Sequence, residues 1–291
     1  MSKTINFHFS SRLAGFCLAA CMIAVGFTGV VAQQGGAGTA KTDNSHSQIR
    51  SKTTQTVIDE TLPDDPAVNK MLEPYSAKVR ALDLVIGKLE GELKKGGLGG
   101  GSLGNFVTDG MRAQASMKLG APIDLVVTNS GGLRKSSIAP GDLHVRDIFE
   151  LLPFENKLVE LELTGEQLLK VLQIVVASRE PQSGAHLKYR TAADQTFELT
   201  SASLIGANGK EKQIEPTTVY RVITIDYLLS VSGGNFAILQ QAKSKNPLGI
   251  TIRDALIEYV KAETAAGRSI NAKSDGRFAA EAAPGKGDAP Q

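Results

Sequence analysis

The most regular hydrophobic pattern of the chain lies between residues 65 and 95. Apolar residues recur there at alternating spacings of three and four, with charged residues between them, which is typical of one buried face on an α-helix. The members of this stripe are Leu72, Tyr75, Val79, Leu82, Ile86, Leu89 and Leu93. Asp64-Asp65-Pro66 before it and Gly96-Gly97 after it are common helix boundaries. The pattern predicts one long helix over residues 65–95.

A narrow three-four repeat is also the seam of a coiled coil. Only three heptads are present and Gly87 falls among them, so a free two-stranded coil would be marginal. We therefore expect this helix to pack on the domain that follows it.

Helix-periodic and strand-like runs alternate through the rest of the chain. Helices are predicted over residues 105–119, 165–177 with a Thr164 cap, and 252–265. Strands are predicted over residues 123–128, 158–163, 197–205 and 220–225. Short strands alternating with helices predict a single mixed α/β domain with layered helices and sheets. Residues 65–275 are enough for one domain with a full core.

Residues 1–32 have the features of an export signal. Lys3 and Arg12 precede an uncharged apolar run over residues 13–31, and small residues precede the expected cleavage site. One alternative is a lipobox ending at Cys21, which would leave a lipidated cysteine. Another is a permanent anchor, because the run is just long enough to span a bilayer. The run continues past Cys21 and is rich in small residues, so we expect cleavage, no membrane span afterwards, and a periplasmic or extracellular protein.

Two flanking segments are poor in large apolar residues. Residues 33–64 are rich in Gln, Gly, Ser, Thr and Lys, and residues 276–291 in Ala, Gly and Pro. Neither can bury enough apolar surface to order itself. We expect a disordered linker before the domain and a disordered tail after it.

Composition and charge exclude several classes of site. Both cysteines, Cys17 and Cys21, lie in the signal, so the mature chain would hold no disulfide, thiolate nucleophile or cysteine metal site. Cleavage would remove two of the 32 basic residues and none of the 30 acidic ones. The resulting formal net charge of zero argues against broad binding to nucleic acid or anionic membranes.

A glycine turn follows the apolar run at residues 123–127. Residues 129–134 read Asn-Ser-Gly-Gly-Leu-Arg. Gly131 and Gly132 would let the backbone approach a ligand closely, and Arg134 would offer forked donors to a phosphate. Taken alone, the segment is more typical of a structural turn with a solvated arginine than of a binding loop.

An ordered series of short motifs carries a family resemblance. The motifs are residues 103–112, 129–134, 152–158 and 163–165, and Tyr227-Leu228 ahead of Gly233-Gly234. In order and spacing they resemble the C-terminal domain of the 5′-nucleotidases, across about residues 65–275. The resemblance implies a domain that holds a nucleoside and contacts its phosphate. In that family an N-terminal metallophosphatase domain holds the two catalytic metal ions.

The resemblance also implies roles for individual residues. Asn129 would face the base or ribose, and Arg134 the phosphate, on a loop that contains Gly131 and Gly132. Phe154 would be one plate of a base clamp, meaning one of two aromatic rings that stack on opposite faces of the base. Every nucleobase has a π face that stacks on an aromatic ring. The alternative for Phe154 is a core phenylalanine beside Leu152.

The sequence departs from the family pattern in three places. Tyr227 would be the second plate, but counting back from Asn235 leads to Leu229 instead. Asn235 stands where the family has an aspartate, and a neutral amide is the weaker acceptor for a ribose hydroxyl. An expected arginine before residues 104–105 is missing, with Lys95 as its only substitute. We expect nucleotide binding that is weaker than in the family or altered.

No metal centre or catalytic residue is expected in this chain. A two-metal phosphatase needs several His, Asp and Asn ligands converging on its ions, and no Gly-Asn-His-Asp or Gly-His-x-His run occurs. The four histidines are His8, His46, His144 and His186. The first two precede the domain, and the other two lack partners at ligand spacing.

Three functions are consistent with these features. The favoured one is the nucleotide-recognition half of a split 5′-nucleotidase in nucleotide catabolism. A separate exported metallophosphatase would then supply the divalent metals, and this chain would be inactive alone. The second is a stand-alone nucleotide or nucleoside receptor, and the third an interaction domain whose site has decayed.

Overall fold

The computed structural model describes residues 52–59, 61–206, 209–231 and 233–281. The predicted export signal and the first part of the predicted linker, to residue 51, lie outside these residues. The chain divides into two units, residues 1–62 and residues 63–291. In the first unit the described residues form no helix or strand. Every helix and strand described below belongs to the second unit.

Six helices and thirteen strands are present among the described residues. The helices are α1 (Pro66–Leu82), α2 (Gly101–Leu119), α3 (Val145–Leu151), α4 (Gly165–Ser178), α5 (Asp226–Ser230) and α6 (Ile252–Ala265). The strands are β1 (Val85–Leu89), β2 (Leu93–Lys94), β3 (Leu125–Val127), β4 (Ser137–Ile138), β5 (Gly141–His144), β6 (Lys157–Thr164), β7 (Gln182–Ser183), β8 (Ala185–Thr191), β9 (Phe197–Ile205), β10 (Glu211–Lys212), β11 (Val219–Ile225), β12 (Lys245–Thr251) and β13 (Phe278–Ala280).

The central sheet has five strands in the order β12-β6-β11-β3-β7. Strands β11 and β3 are parallel, and the other neighbours are antiparallel. A second sheet has the order β10-β9-β8-β13, and two short pairs, β1-β5 and β2-β4, complete the strands. Such a mixture of sheets and helices confirms the mixed α/β fold.

Helices cover both faces of the central sheet. Strands β6 and β11 carry runs of consecutive buried residues, which requires cover on both sides. Helix α2 contacts β3, β7 and β11, while α4 contacts β6 and β11 and also β9 of the second sheet. The core is therefore continuous from the helices through the central sheet.

The periodic segments beyond residue 100 form the elements predicted for them. Helix α4 begins at the predicted cap, where the Thr164 side chain accepts a 3.3 Å hydrogen bond from the Gln167 backbone N–H. The Gln167 side chain accepts one of 2.9 Å from the Thr164 backbone in return. This reciprocal pair satisfies two donors at the helix start.

The helix predicted over residues 65–95 is wrong in its second half. Helix α1 ends at Leu82, and the residues beyond it form β1 and β2. Ile86, Leu89 and Leu93 are buried there as strand residues. A Cβ at Gly87 would meet Thr264 and Val260 at 2.6 Å, so β1 lies too close to α6 for a side chain at this position. The tertiary contact overrides the helical spacing.

Helix α1 contacts α3, but the expectation that its apolar face packs on the domain is wrong within the described residues. No residue of α1 is buried. Its apolar residues Leu72, Tyr75 and Val79 are exposed. The upstream half of the predicted stripe is thus a solvent-facing surface, whereas the downstream half belongs to the core.

The fold extends past the boundary predicted at residue 275. Arg277 is 8% exposed, and its guanidinium donates to both carboxylate oxygens of Asp109, at 2.9 and 3.0 Å, and to the Gln182 carbonyl at 3.0 Å. Asp275 accepts a further hydrogen bond of 2.6 Å. These contacts hold β13 parallel to β8. The first residues of the predicted tail, 276–281, are therefore part of the domain.

Candidate functional site

The predicted site residues lie where strands of the central sheet begin or end. They share the edge of the sheet that is formed by the ends of its strands. Strands β3 and β11 are parallel, and β6 runs antiparallel to β11 with Ile225 opposite Leu158. The carboxyl ends of β3 and β11 therefore lie beside the amino end of β6. This arrangement gathers residues 129–134, Phe154 and Tyr227 at a single edge, the usual place for a ligand in sheets of this kind.

The loop after β3 is fixed by its backbone. Residues Ser130–Gly132 form one turn of 3-10 helix, with Asn129 at its start. The Ser130 N–H donates a 2.5 Å hydrogen bond to the Glu180 carboxylate. At the other end of the loop Leu133 is buried, and the Arg134 N–H donates to the Leu151 carbonyl at 2.9 Å. These anchors leave the Arg134 side chain exposed.

The two loop glycines lie beside the Asn129 side chain in an ordinary backbone conformation. Neither Gly131 nor Gly132 has a positive φ. A Cβ on either residue would lie 3.4 Å from the Asn129 carboxamide. That distance is ordinary van der Waals contact, so neither packing nor φ requires glycine at these two positions.

Asn129 borders a small cavity at the sheet edge. Its Oδ1 is buried and has no hydrogen-bond partner in the part of the chain that the structure describes. The cavity measures about 10 Å³ and is lined by Val107, Thr128, Asn129, Gly132, Leu133, Leu152, Phe154, Asn156, Ile225 and Ile252. This volume holds about one water molecule. The unpartnered oxygen is available to a donor from a ligand, but no nucleobase fits inside the cavity.

Phe154 is a surface aromatic and not the core phenylalanine of the alternative interpretation. Its side chain is 46% exposed, whereas Leu152 is buried. The guanidinium carbon of Arg134 lies 5.7 Å from the centre of the Phe154 ring, within the range of a cation–π contact. The loop and the aromatic residue are therefore in direct contact.

Tyr227 lies in the first turn of α5, at the end of β11. Its ring is 49% exposed, while Leu229 is partly buried against the core. Within the described residues no ring contact joins Tyr227 to Phe154. Of the two candidates for a second plate, Tyr227 has the ring and the exposure that stacking requires.

Asn235 and the loop at residues 129–134 both form hydrogen bonds at the carboxyl end of α4. Its Nδ2 donates a 3.0 Å hydrogen bond to Oγ of Ser178, the last residue of α4. Two residues further on, Glu180 accepts from Ser130. The carboxyl end of α4 thus connects Asn235 with the loop at residues 129–134.

Two further residues contact the loop. Glu180 is not marked by any motif, because its role depends on where α4 ends in space. Lys95, expected only as a substitute for a missing arginine, donates from Nζ to the Leu133 carbonyl at 2.8 Å. Its ammonium group therefore lies beside the loop.

Lys135 follows Arg134 in the sequence but is engaged elsewhere. Its ammonium contacts Asp147 at 3.3 Å and Glu150 at 2.6 Å. Burial would lower the pKa of Lys135, but these carboxylates outweigh burial and raise it. Lys135 thus links the loop to α3, and the two carboxylates balance the charge of its ammonium group.

The amino end of α2 lies behind the loop. Gly99, Gly100 and Gly101 precede or begin this helix with positive φ values, a conformation that other residues adopt at a cost. A Cβ on Gly100 would lie 3.3 Å from Pro181 and 3.9 Å from Leu133. The start of α2 therefore lies close to Leu133, the buried residue of the loop.

Metal ligands do not gather in the described part of the chain. No group of three or more His, Cys, Asp or Glu side chains that could hold a metal ion occurs in residues 52–59, 61–206, 209–231 and 233–281. His144 pairs with Asp147 at the start of α3, and His186 lies 2.8 Å from Glu211. In the same residues, no helix combines the length and apolar character needed to cross a bilayer.

Residues 85–241, more than half of the chain, match the family described as 5′-nucleotidase, C-terminal domain. The chain is 28% identical to the trifunctional nucleotide phosphoesterase protein YfkN of Bacillus subtilis over 185 residues, 61% of this chain and 12% of that protein. It is 28% identical to a 5′-nucleotidase of Vibrio vulnificus over 193 residues, 65% of this chain and 32% of that protein. The chain therefore spans less than a third of either relative.

A solved structure with a similar fold is a 5′-nucleotidase precursor from Thermus thermophilus. The TM-score is 0.61 and the identity 24%, over 77% of this chain and 45% of that one. At this identity the likeness describes the fold.

Proposed function

Because the chain belongs to the 5′-nucleotidase C-terminal domain family, we propose that it is an exported domain that recognises a nucleotide at the carboxyl edge of β3 and β11. The observation that carries the proposal is the gathering of Asn129, Arg134 and Phe154 at that edge. Together they offer a hydrogen-bonding carboxamide, a cation and an exposed aromatic face. These are the groups that a ribose or base, a phosphate and a base require.

Each part of a nucleotide has a separate residue in this proposal. The base stacks on Phe154, whose ring is accessible from solvent. The unpartnered Oδ1 of Asn129 accepts a hydrogen bond from the base or the ribose. Arg134 binds the phosphate, because it has no carboxylate partner among the described residues. Tyr227 and Asn235 complete the nucleoside side of the site.

The binding proposal is tested by titrating the mature chain with AMP and adenosine in a calorimeter. We expect saturable binding of AMP and a loss of at least about ten-fold in affinity for Phe154→Ala, since one stacked base contributes about 1–3 kcal/mol. Phe197→Ala is the matched control because its ring, on β9, contacts Tyr189 and Arg179 instead. No heat of binding at millimolar AMP would rule out nucleotide recognition.

The catalytic step belongs, in this proposal, to a metallophosphatase carried by another exported chain. The described residues hold no cluster of metal ligands, and two-metal phosphate hydrolysis depends on such a cluster. The chain would thus serve nucleotide catabolism by presenting the ligand, with the divalent ions supplied by its partner.

The partnership is tested by phosphate release from AMP in the presence of manganese or zinc. We expect background release by this chain alone and metal-dependent release when an exported metallophosphatase domain of the same family is added. Release that stays at background with each such partner would contradict the split enzyme while leaving the binding proposal intact.

A further inference from the structure

The Arg134 guanidinium lies over one face of the Phe154 ring, at the distance of a stacked base. It lies 5.7 Å from the centre of the Phe154 ring. Stacked aromatic rings have their centres about 4.5–7 Å apart, so a base and this guanidinium cannot share the same face of the ring. The cavity that Phe154 also borders measures only about 10 Å³ and is too small to hold the base.

Arg134 is held over Phe154 by weak contacts only. Its other side-chain contact is a hydrogen bond from Nη1 to the Gly131 carbonyl at 3.5 Å, the limit for such a bond. The neighbouring cations are held more firmly. Lys135 contacts two carboxylates, and Arg253 contacts Glu155 at 3.2 Å and stacks at 4.1 Å on Phe149. Among these three cations, Arg134 alone has no carboxylate partner in the described residues.

We infer that Arg134 makes the site selective for phosphorylated nucleosides by covering Phe154 until an anionic group draws the guanidinium away. This inference rests on the proposed function. A phosphate offers Arg134 charge-assisted, bidentate hydrogen bonds that replace the cation–π contact. Moving to the phosphate uncovers the ring for the base. A nucleoside without phosphate must displace Arg134 from the ring without offering it an anionic partner that replaces the cation–π contact.

The inference predicts opposite effects of one substitution on two ligands. In Arg134→Gln the cation is gone, so AMP affinity should fall at least about ten-fold with the loss of charged hydrogen bonds. Adenosine affinity should rise about two- to five-fold, which is the size of an exposed cation–π contact. A merely structural role for Arg134 would weaken both ligands together.

The experiment is a calorimetric titration of the mature chain with AMP and with adenosine. It compares wild type, Arg134→Gln, Phe154→Leu and the double variant, with Arg190→Gln as the control. Arg190 lies on β8 and pairs with Glu198, so its substitution should change neither affinity. In the Phe154→Leu background, Arg134→Gln should no longer raise adenosine affinity because the covered ring is absent.

The outcomes separate this inference from the proposed function. Weaker AMP binding with stronger adenosine binding in Arg134→Gln supports it. If AMP binds wild type but Arg134→Gln leaves adenosine binding unchanged or weakens it, the covering role is wrong and nucleotide recognition stands. If wild type binds no AMP, both are wrong. Thermal unfolding of each variant confirms that it is folded before titration.

Discussion

The Ser130 backbone N–H and the Glu180 carboxylate are joined by a 2.5 Å hydrogen bond. This bond connects the loop at residues 129–134, after β3, to the residues that follow α4. A carboxylate that accepts from a backbone N–H is among the stronger acceptors. The position of the loop therefore depends on a residue 50 positions away in the sequence.

Glu180→Ala should loosen this loop. Removing the acceptor leaves a partly buried N–H without a partner, which costs about 1–3 kcal/mol. We expect faster amide hydrogen exchange at Ser130 and a lower thermal midpoint, with a smaller effect for Glu180→Gln because its amide oxygen still accepts. Exchange at Ser130 that is the same in all three proteins would show that the bond does not hold the loop.

Arg277→Met should destabilise the domain by about 2–3 kcal/mol. Removing one partner of a buried ion pair costs about 3–5 kcal/mol, and the partly exposed carboxylates of Asp109 and Asp275 reduce this figure. Urea unfolding measures the change. In the control Arg190→Met, the lost pair is exposed and should matter by less than about 1 kcal/mol. Equal losses in the two variants would contradict the anchoring role of Arg277.

The free energy of unfolding should fall in alkaline solution as the Tyr259 hydroxyl ionises. Burial raises the pKa of Tyr259 from 10.0 to about 12. Since the folded pKa lies above the unfolded one, this contribution is complete below pH 10 and is lost as the pH rises through about 12. We expect the unfolding free energy of wild type to drop by about 1 kcal/mol more than that of Tyr259→Phe, after allowance for solvent screening.

The check on this prediction is urea unfolding at pH 9 and pH 11.5, values on either side of about pH 10. Tyr75→Phe is the control because Tyr75 is exposed on α1. If Tyr259→Phe and wild type lose stability in parallel, burial does not perturb this hydroxyl.

Two leucines of one sequence stripe should respond differently to the same substitution. Leu93 is fully buried in β2, and Leu72 is 50% exposed on α1. Leu93→Ala should cost about 2–4 kcal/mol through the lost burial and the cavity it leaves. Leu72→Ala should change stability by less than about 0.5 kcal/mol. Chemical unfolding of both variants gives the comparison, and a large loss for Leu72→Ala would mean that α1 is packed after all.

Apolar spacing predicted some helices correctly and assigned residues 85–94 to the wrong element. Helices such as α4 and α6 were predictable because caps and apolar spacing agree with the final packing. Residues 86–93 have helical spacing, yet they form β1 and β2, with β1 lying against α6 at Gly87. Local spacing contains no information about that contact.

The C-terminal boundary of the domain could not be predicted from composition. Residues 276–281 begin a segment rich in Ala, Gly and Pro, yet Arg277 contacts Asp109, 168 positions away in the sequence. For the predicted site, the order of motifs brought together Asn129, Arg134 and Phe154, and all three flank strands of one sheet. Glu180 and the contact between Arg134 and Phe154 depend on tertiary packing, which no short motif records.

The most direct test of nucleotide recognition at this site is nuclear magnetic resonance of the mature chain during a titration with AMP. We expect the largest changes at the ring of Phe154 and the side-chain amide of Asn129, with saturation at both positions on the same binding curve. Changes centred elsewhere, such as the cleft between residues 96–105 and 274–278, with none at Phe154, would contradict it.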